Sequence, residues 1–157
     1  MIINLVRIDD RLIHGQVVTV WAKEAKAERI LICSDEVEKD EIRKRLLLQV
    51  APPGIKVNVV GVEKAIRVYN NPKYENDKVF LLFTCPKDIL RMVEGGVGIK
   101  SVNIGGMAYK TGKIQITKAV SVDEVDKEAF KELNKKGIEL EIRSIATDPK
   151  VSLMEKL

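Results

Sequence analysis

The chain has 157 residues, of which 45% are hydrophobic and 32% are charged, so it fits one globular domain with a sizeable core. No apolar run approaches the ~20 residues of a membrane-spanning helix, and the N-terminus lacks the basic segment and cleavage site of a secretory signal. A net charge of +4 with only 4% aromatic residues, and lysines interleaved with glutamates, argues against a nucleic-acid-binding protein.

The predicted elements alternate regularly between strand and helix, with no repeat and no linker. Short connections between such elements require parallel crossovers. We therefore predict a single α/β domain over residues 1–157: an open, mostly parallel, twisted sheet of about seven strands with helices on both faces. Apolar runs predict the strands 2–8, 29–33, 56–60, 79–84, 101–104, 113–117 and 138–143. Helical patterns predict the helices 16–26, 36–50, 62–69, 87–94 and 122–135, and one short helix in the tail 148–157.

Three local signals refine this assignment. Ser34 or Asp35 is expected to cap the second helix, and Ser121 with Glu124 is expected to form a capping box for the helix before the last strand. The run 113–117 alternates between apolar and polar residues, which predicts an edge or antiparallel strand.

The loop between the first strand and the first helix carries the chemistry. It holds the only histidine, His14, three residues after Arg11 and directly before Gly15. Loops at the carboxyl ends of parallel strands line the ligand crevice of such sheets. The N–H groups and positive dipole end of the following helix, which starts near Gln16, favour an anion and disfavour a protonated imidazole. We expect a neutral, nucleophilic His14 that holds a phosphoryl group, with Arg11 donating paired hydrogen bonds to its oxygens.

The remaining polar residues of this segment are assigned supporting roles. Arg7, at the end of the first strand, is expected to add a second positive charge to the phosphate site. Asp9 or Asp10 is expected to accept the proton of the ring nitrogen that does not carry the phosphate, although both could simply cap a turn. Gly15 lets the backbone approach the ligand, and N–H groups near Gln16 complete the anion site.

Other features of the sequence leave alternatives open. Gly105-Gly106 ends a strand and is either a tight turn or a second phosphate-approaching loop. Two distant cysteines fit a reducing cytoplasm, with Cys85 as a candidate reactive thiol. Trp21 is expected in the core or at an interface. A lone histidine is more often structural than catalytic, so position and flanking arginines carry the functional interpretation.

Competing enzyme classes fail on residue counts. A zinc site or a histidine phosphatase needs further histidines, which this chain lacks. A dinucleotide-binding fold would place Gly-x-Gly-x-x-Gly after the first strand, where only Gly15 is found. Phosphoryl transfer depends mainly on alignment and charge stabilisation, so we predict neither a metal nor an organic cofactor.

The segment Arg-Ile-Asp-Asp-Arg-Leu-Ile-His-Gly-Gln-Val at 7–17 resembles the active-site signature of the IIB components of the bacterial sugar phosphotransferase system (PTS), in the mannose/fructose/sorbose family. Blocks along the rest of the chain resemble the same family, and the mannose-specific branch is the most similar. They are 34–36, 49–54, 66–72, 93–97, 102–107 and 119–124. After the fourth strand this branch commonly has Thr-Asn-Pro, whereas this chain has Thr84-Cys85-Pro86.

This resemblance implies a phosphocarrier. His14 would accept phosphate on Nδ1 from a phosphohistidine of a IIA protein or domain and pass it to a sugar hydroxyl, with Arg11 important for transfer. The membrane subunits IIC and IID would carry the sugar, a mannose-type hexose. The protein would be cytoplasmic and transiently at the inner face of the membrane, either free-standing or as part of a fused IIAB, and a homo-oligomer is compatible with the sequence. The alternative is a regulatory module that binds a phosphorylated ligand without covalent transfer.

Overall fold

The computed structural model describes residues 1–157, which form one main sheet, a separate hairpin and six helices. The strands are β1 (Ile2–Asp9), β2 (Arg29–Cys33), β3 (Lys56–Val60), β4 (Lys78–Phe83), β5 (Ser101–Gly106), β6 (Ile114–Thr117), β7 (Val120–Val122), β8 (Glu139–Ile142) and β9 (Val151–Ser152). The helices are α1 (Val17–Glu24), α2 (Asp35–Lys39), α3 (Glu41–Gln49), α4 (Val62–Tyr69), α5 (Pro86–Glu94) and α6 (Glu124–Lys135), with a 3₁₀ turn at Pro72–Tyr74.

The main sheet has seven strands in the order β3-β2-β4-β1-β5-β8-β9, and every neighbouring pair is parallel except β8 with β9. The predicted α/β class and open, mostly parallel sheet are therefore confirmed. From β1 the chain crosses to β2 on one side, whereas from the adjacent β4 it crosses to β5 on the other. This reversal opens a crevice at the carboxyl ends of β1 and β4, which is where ligands bind in such folds.

Helices cover both faces of the sheet because the buried side chains of each central strand alternate between two cores. Leu81 and Phe83 of β4 belong to a 25-residue cluster, which α4, α5 and α6 cover. Phe80 and Leu82 belong to a 12-residue cluster on the opposite face, covered by α1, α2 and α3. A strand buried on both faces needs this nearly continuous apolar sequence.

Asp40 divides the helix predicted over 36–50 into α2 and α3, so that prediction is wrong. Its backbone is extended, at φ −88° and ψ 92°, and its carboxylate accepts a hydrogen bond from the N–H of Arg43 at 3.1 Å. An aspartate that bonds to the backbone three residues ahead starts a new helix and ends the preceding one. Ser34 caps α2 through the N–H of Val37, as one of the two predicted caps.

Two further predictions are corrected near the C-terminus. The capping box of α6 is formed by Asp123 and Asp126, because Ser121 is still part of strand β7. The tail is not helical: β9 pairs antiparallel with β8, and Leu153 buries its side chain in the larger core. The strand predicted over 113–117 is confirmed as antiparallel, since β6 pairs with β7 in the hairpin.

A row of polar side chains crosses three neighbouring strands of the otherwise apolar sheet. Arg7 of β1 pairs in register with Asn103 of β5, which pairs in register with Glu141 of β8. Residues in register point to the same face, and all three are buried. Trp21 of α1 covers this row, because the Arg7 guanidinium carbon lies 5.0 Å from the centre of its ring system. On β1 this polar row lies two residues before the carboxyl end of the strand, Asp9.

Candidate functional site

The loop that follows β1, residues 10–16 (hereafter the site loop), is held by two buried apolar side chains. Leu12 is 1% exposed and Ile13 is 8% exposed, and both belong to the smaller core. Leu12 has a left-handed backbone, with φ at +60°, and Gly15 has φ at +50°. A left-handed leucine is a strained conformation, and burial of its side chain stabilises it. The site loop is therefore anchored in the core, with His14 presented between two turns.

Asp9 is the centre of the polar cluster. Its Oδ1 accepts hydrogen bonds from the backbone N–H of Arg11 at 3.2 Å and from Nε of Arg11 at 3.1 Å. Its Oδ2 lies 3.2 Å from Nη2 of Arg11, 3.3 Å from Nη2 of Arg7 and 3.0 Å from Nε2 of His14. Two guanidinium groups and an imidazole thus meet on one buried carboxylate.

This environment lowers the pKa of Asp9 from its ordinary value. Burial acts to raise the pKa, but hydrogen bonds from Arg11 and His14 and the charge of Arg7 outweigh it. Asp9 is consequently an anion at neutral pH, and it can only accept hydrogen bonds there. Of the two aspartates that the sequence left open, Asp9 is the one that contacts the imidazole ring.

The orientation of His14 follows from this contact. Because an ionised Asp9 accepts, Nε2 of a neutral His14 is the nitrogen that carries the proton. Nδ1 then holds the lone pair, and it makes no hydrogen bond within the chain. The side chain is 23% exposed, so a reactant can reach the ring from solvent. No side chain caps the N-terminus of α1 two residues beyond Gly15, so the N–H groups of its first turn stay available to an anion.

Arg11 differs from Arg7 in its access to solvent. Its side chain is 57% exposed although Nε and Nη2 both contact Asp9, so part of the guanidinium is open to solvent. An exposed guanidinium can bind a phosphoryl oxygen while it remains paired with a carboxylate. The role of Arg11 as a phosphate clamp stays a prediction.

Arg7 lies beneath the site and is 1% exposed. Its Nη1 donates to Oδ1 of Asn103 and to the carbonyl oxygen of Arg143, and its Nη2 donates to Asp9 and to the carbonyl oxygen of Ser144. The desolvation of this guanidinium lowers its pKa, with Asp9 opposing that effect. Both terminal nitrogens are bound to protein and the side chain is buried, so the direct contact with phosphate that the sequence suggested is corrected: Arg7 reaches the site through Asp9.

Asp10 is turned away from the imidazole. Its Oδ2 accepts a hydrogen bond from the N–H of Ala108 at 2.7 Å, and its carbonyl oxygen accepts one from Nη2 of Arg43 at 3.0 Å. The backbone N–H of Asp10 donates to the carbonyl oxygen of Gly106 at 3.1 Å. Asp10 therefore ties the site loop to the segment after β5 and to α3.

The other predicted residues lie around this centre. Gly15 and Gln16 are exposed, and Gln16 occupies the N-cap position of α1 without a capping side-chain bond. Gly105 and Gly106 are the last two residues of β5, so they form neither of the two loops that the sequence suggested. Cys85 precedes α5 and is mostly buried, which raises its pKa to about 11 and disfavours the reactive thiolate.

Sequence reasoning missed four residues of the layer beneath the site: Asn103, Trp21, Arg143 and Ser144. Trp21 donates from Nε1 to the carbonyl oxygen of Ser144 at 3.1 Å. The central guanidinium carbons of Arg7 and Arg143 lie 5.0 and 4.9 Å from the centre of its ring system. One sequence feature could have pointed to this layer: Asn103 is a polar residue within a predicted strand, where buried positions are otherwise apolar.

Comparisons with known proteins agree with the resemblance in the site loop. Residues 3–157 match the family model described as "PTS system sorbose subfamily IIB component". The chain is 62% identical over 155 residues to the mannose-specific EIIAB component of Escherichia coli strain K12, covering 99% of this chain and 48% of that protein. It is 58% identical over 157 residues to the sorbose-specific EIIB component of Lacticaseibacillus casei, covering 100% of this chain and 96% of that protein.

The fold agrees with a solved structure from the same group. The IIBSor domain of the sorbose permease from Klebsiella pneumoniae superposes with a TM-score of 0.98 at 58% identity, covering 99% of this chain and 96% of that one. The chain spans about half the length of the mannose-specific relatives, which are EIIAB components. No helix in the structure combines the length and apolarity needed to cross a membrane.

Proposed function

Because the chain belongs to the sorbose-subfamily IIB components of the sugar phosphotransferase system, we propose that His14 is its phosphorylated residue and Arg11 its phosphate clamp. In this proposal the protein is a phosphocarrier, a protein-Nπ-phosphohistidine–sugar phosphotransferase. The observation that carries the proposal is the 3.0 Å contact between Oδ2 of Asp9 and Nε2 of His14, which directs the lone pair of the ring to Nδ1.

The reaction has two in-line steps. First, Nδ1 of His14 attacks the phosphorus atom of a phosphohistidine on the IIA partner. The new N–P bond forms while the N–P bond of the donor breaks, and its electron pair returns to the donor ring. Second, a sugar hydroxyl oxygen attacks the same phosphorus atom and the bond to Nδ1 breaks. The electron pair of that bond returns to the His14 ring, and the hydroxyl proton passes to solvent. Neither step changes an oxidation state or requires a further reactant.

Different residues of the site compensate the charges that develop in these steps. Arg11 and the N–H groups that follow Gly15 compensate the charge on the phosphoryl oxygens. Asp9 compensates the positive charge that the imidazole gains on phosphorylation, because its carboxylate remains on the Nε2–H side. These are the requirements of phosphoryl transfer, so the proposal includes neither a metal nor an organic cofactor.

The proposed partners follow from the family. The donor is a phosphorylated IIA protein or domain, and the acceptor is a mannose-type hexose presented by the membrane subunits IIC and IID. The carrier would then work in the cytoplasm and contact the inner face of the membrane transiently. Both partners must reach the same exposed ring nitrogen, so each complex has to dissociate before the other forms.

Phosphate labelling tests this function. The protein is incubated with phosphoenolpyruvate, the general PTS proteins and a IIA protein, and bound phosphate is measured before and after acid treatment. We expect one acid-labile phosphate on the wild type and none on His14→Ala. Equal labelling of His14→Ala would refute the assignment of His14. An unlabelled wild type that still binds phosphorylated ligands would support the non-covalent regulatory module instead.

A further inference from the structure

Gly105 is the extra residue of a β-bulge beside the site. Ile8 of β1 pairs with Ile104 of β5, but the next residue, Asp9, pairs with Gly106, so Gly105 has no partner on β1. Bulges of this kind redirect side chains and occur near active sites. Here the bulge lies opposite the end of β1, beside the contact between Arg7 and Asp9.

The Arg7 guanidinium occupies the space that a side chain at position 105 would need. A Cβ atom built on Gly105 would lie 2.5 Å from Nη1 of Arg7, and it would be closer still to Cζ and Nη2. The backbone of Gly105 does not require glycine, since its φ is not in the left-handed region. Glycine is needed at position 105 because any side chain there would overlap the Arg7 guanidinium.

The contacts of Arg7 fix its orientation. Nη1 is held by Asn103 and by the carbonyl oxygen of Arg143, and one face of the guanidinium lies against Trp21. This leaves Nη2 directed at Oδ2 of Asp9, the same atom that contacts Nε2 of His14. A shift of Arg7 would therefore change the position of the oxygen that selects the tautomer of His14.

We propose that Arg7, seated in the space left by Gly105, is a positioning residue that holds Asp9 so that His14 carries its proton on Nε2 and presents Nδ1 as the nucleophile. This inference rests on the proposed function of His14. It also gives Gly105 a role that the sequence did not show.

The experiment compares two substitutions that each add one methyl group. Gly105→Ala changes no charged residue but forces the Arg7 guanidinium to move. Gly95→Ala is the matched control: its Cβ would lie 2.6 Å from Cδ1 of Ile66, a comparable overlap with a flexible side chain at the far end of α5. The readouts are the ¹H–¹⁵N spectrum of the His14 ring in unphosphorylated protein and the rate of phosphate uptake from phospho-IIA.

We expect Gly105→Ala to shift His14 from the Nε2–H form towards a mixture of tautomers and to slow uptake about 10- to 100-fold, as loss of a supporting hydrogen bond typically does. Gly95→Ala should leave both readouts unchanged. A Gly105→Ala protein with the wild-type ring spectrum and rate would overturn the proposal. The ring spectrum needs no phosphate donor, so it tests the positioning role even if the labelling experiment fails.

A double variant tests whether the methyl group of Gly105→Ala acts by displacing Arg7 or in some other way. Adding Gly105→Ala to Arg7→Gln, whose shorter side chain leaves the space free, should change uptake less than twofold. Independent, multiplying effects would overturn the proposal. If Gly105→Ala does not fold, Arg7→Lys decides, because lysine keeps the charge but lacks the planar fork that contacts Asp9 and two carbonyl oxygens together. A wild-type tautomer and rate in Arg7→Lys would then refute the positioning role.

Discussion

Arg7 and Asp9 lie two residues apart on β1, on the same face of the sheet, and their ion pair of 3.3 Å is almost fully buried. A buried ion pair is costly to desolvate, and replacing it with apolar residues is often neutral or stabilising. Because this pair contacts the only histidine, we assign it a role beyond stability. In this account the pair supplies a fixed carboxylate oxygen to Nε2 of His14.

We expect Asp9→Asn to lower the free energy of unfolding by about 3 kcal/mol at pH 7, because it leaves the Arg7 charge buried without its anion. The folded state lowers the pKa of Asp9, so the stabilisation is complete above the unfolded pKa of about 4 and is lost as the pH falls through the folded pKa. Urea unfolding from pH 3 to pH 7 should show a constant difference between wild type and variant above about pH 5 and a shrinking one below about pH 4. Parallel curves over the whole range would contradict the assigned pKa direction.

Arg11→Ala should abolish most transfer without unfolding the protein. The side chain is 57% exposed, and exposed ion pairs contribute about 1 kcal/mol or less to stability. We expect the rate of phosphate uptake to fall about 100-fold or more, as for loss of one donor to a transition-state oxyanion. Arg45→Ala is the control, an exposed arginine of α3 outside the site, and it should transfer normally. Unfolding of Arg11→Ala under assay conditions would show a structural role instead.

Asp10→Ala should loosen the link between the site loop and the segment after β5. It removes the 2.7 Å hydrogen bond to the N–H of Ala108, at a cost of about 1 kcal/mol. Hydrogen exchange of the Ala108 amide should become faster, whereas the ring spectrum of His14 should keep its Nε2–H form. A change of tautomer would place Asp10, rather than Asp9 alone, in control of the ring.

Cys85 should react slowly with iodoacetamide in the folded protein. Burial raises its pKa to about 11, so the thiolate fraction at pH 8 is about 0.1%. We expect alkylation about 100-fold slower than that of free cysteine at pH 8, with the rate rising about tenfold per pH unit. Mass spectrometry of the peptide that contains Cys85 measures this rate. Modification as fast as that of free cysteine would mean that the thiol is more accessible than its burial indicates.

The fold could be predicted from the sequence because its signals are local. Apolar runs and the turns between them predicted the parallel sheet. The polar residues of the loop after β1 predicted where the candidate site lies. The errors also have local causes that propensity did not resolve. Asp40 ends one helix by capping the next, and Leu153 enters the core from a strand rather than from a helix.

The site was only partly predictable because its geometry depends on contacts between distant segments. Strand alternation could have linked Arg7 to Asp9, since both lie on one face of β1, and it separates them from Asp10. No spacing rule could show that Gly105 makes room for Arg7, which lies 98 positions earlier in the sequence. Packing of that kind is a property of the folded sheet.

The most direct test of the central claim is the position of the phosphate on the His14 ring, measured by ¹⁵N and ³¹P NMR of the protein labelled from phospho-IIA. Since Asp9 holds Nε2, the account predicts phosphorus bonded to Nδ1, with the proton retained on Nε2. Phosphorus bonded to Nε2, or phosphate on a residue other than His14, would contradict it.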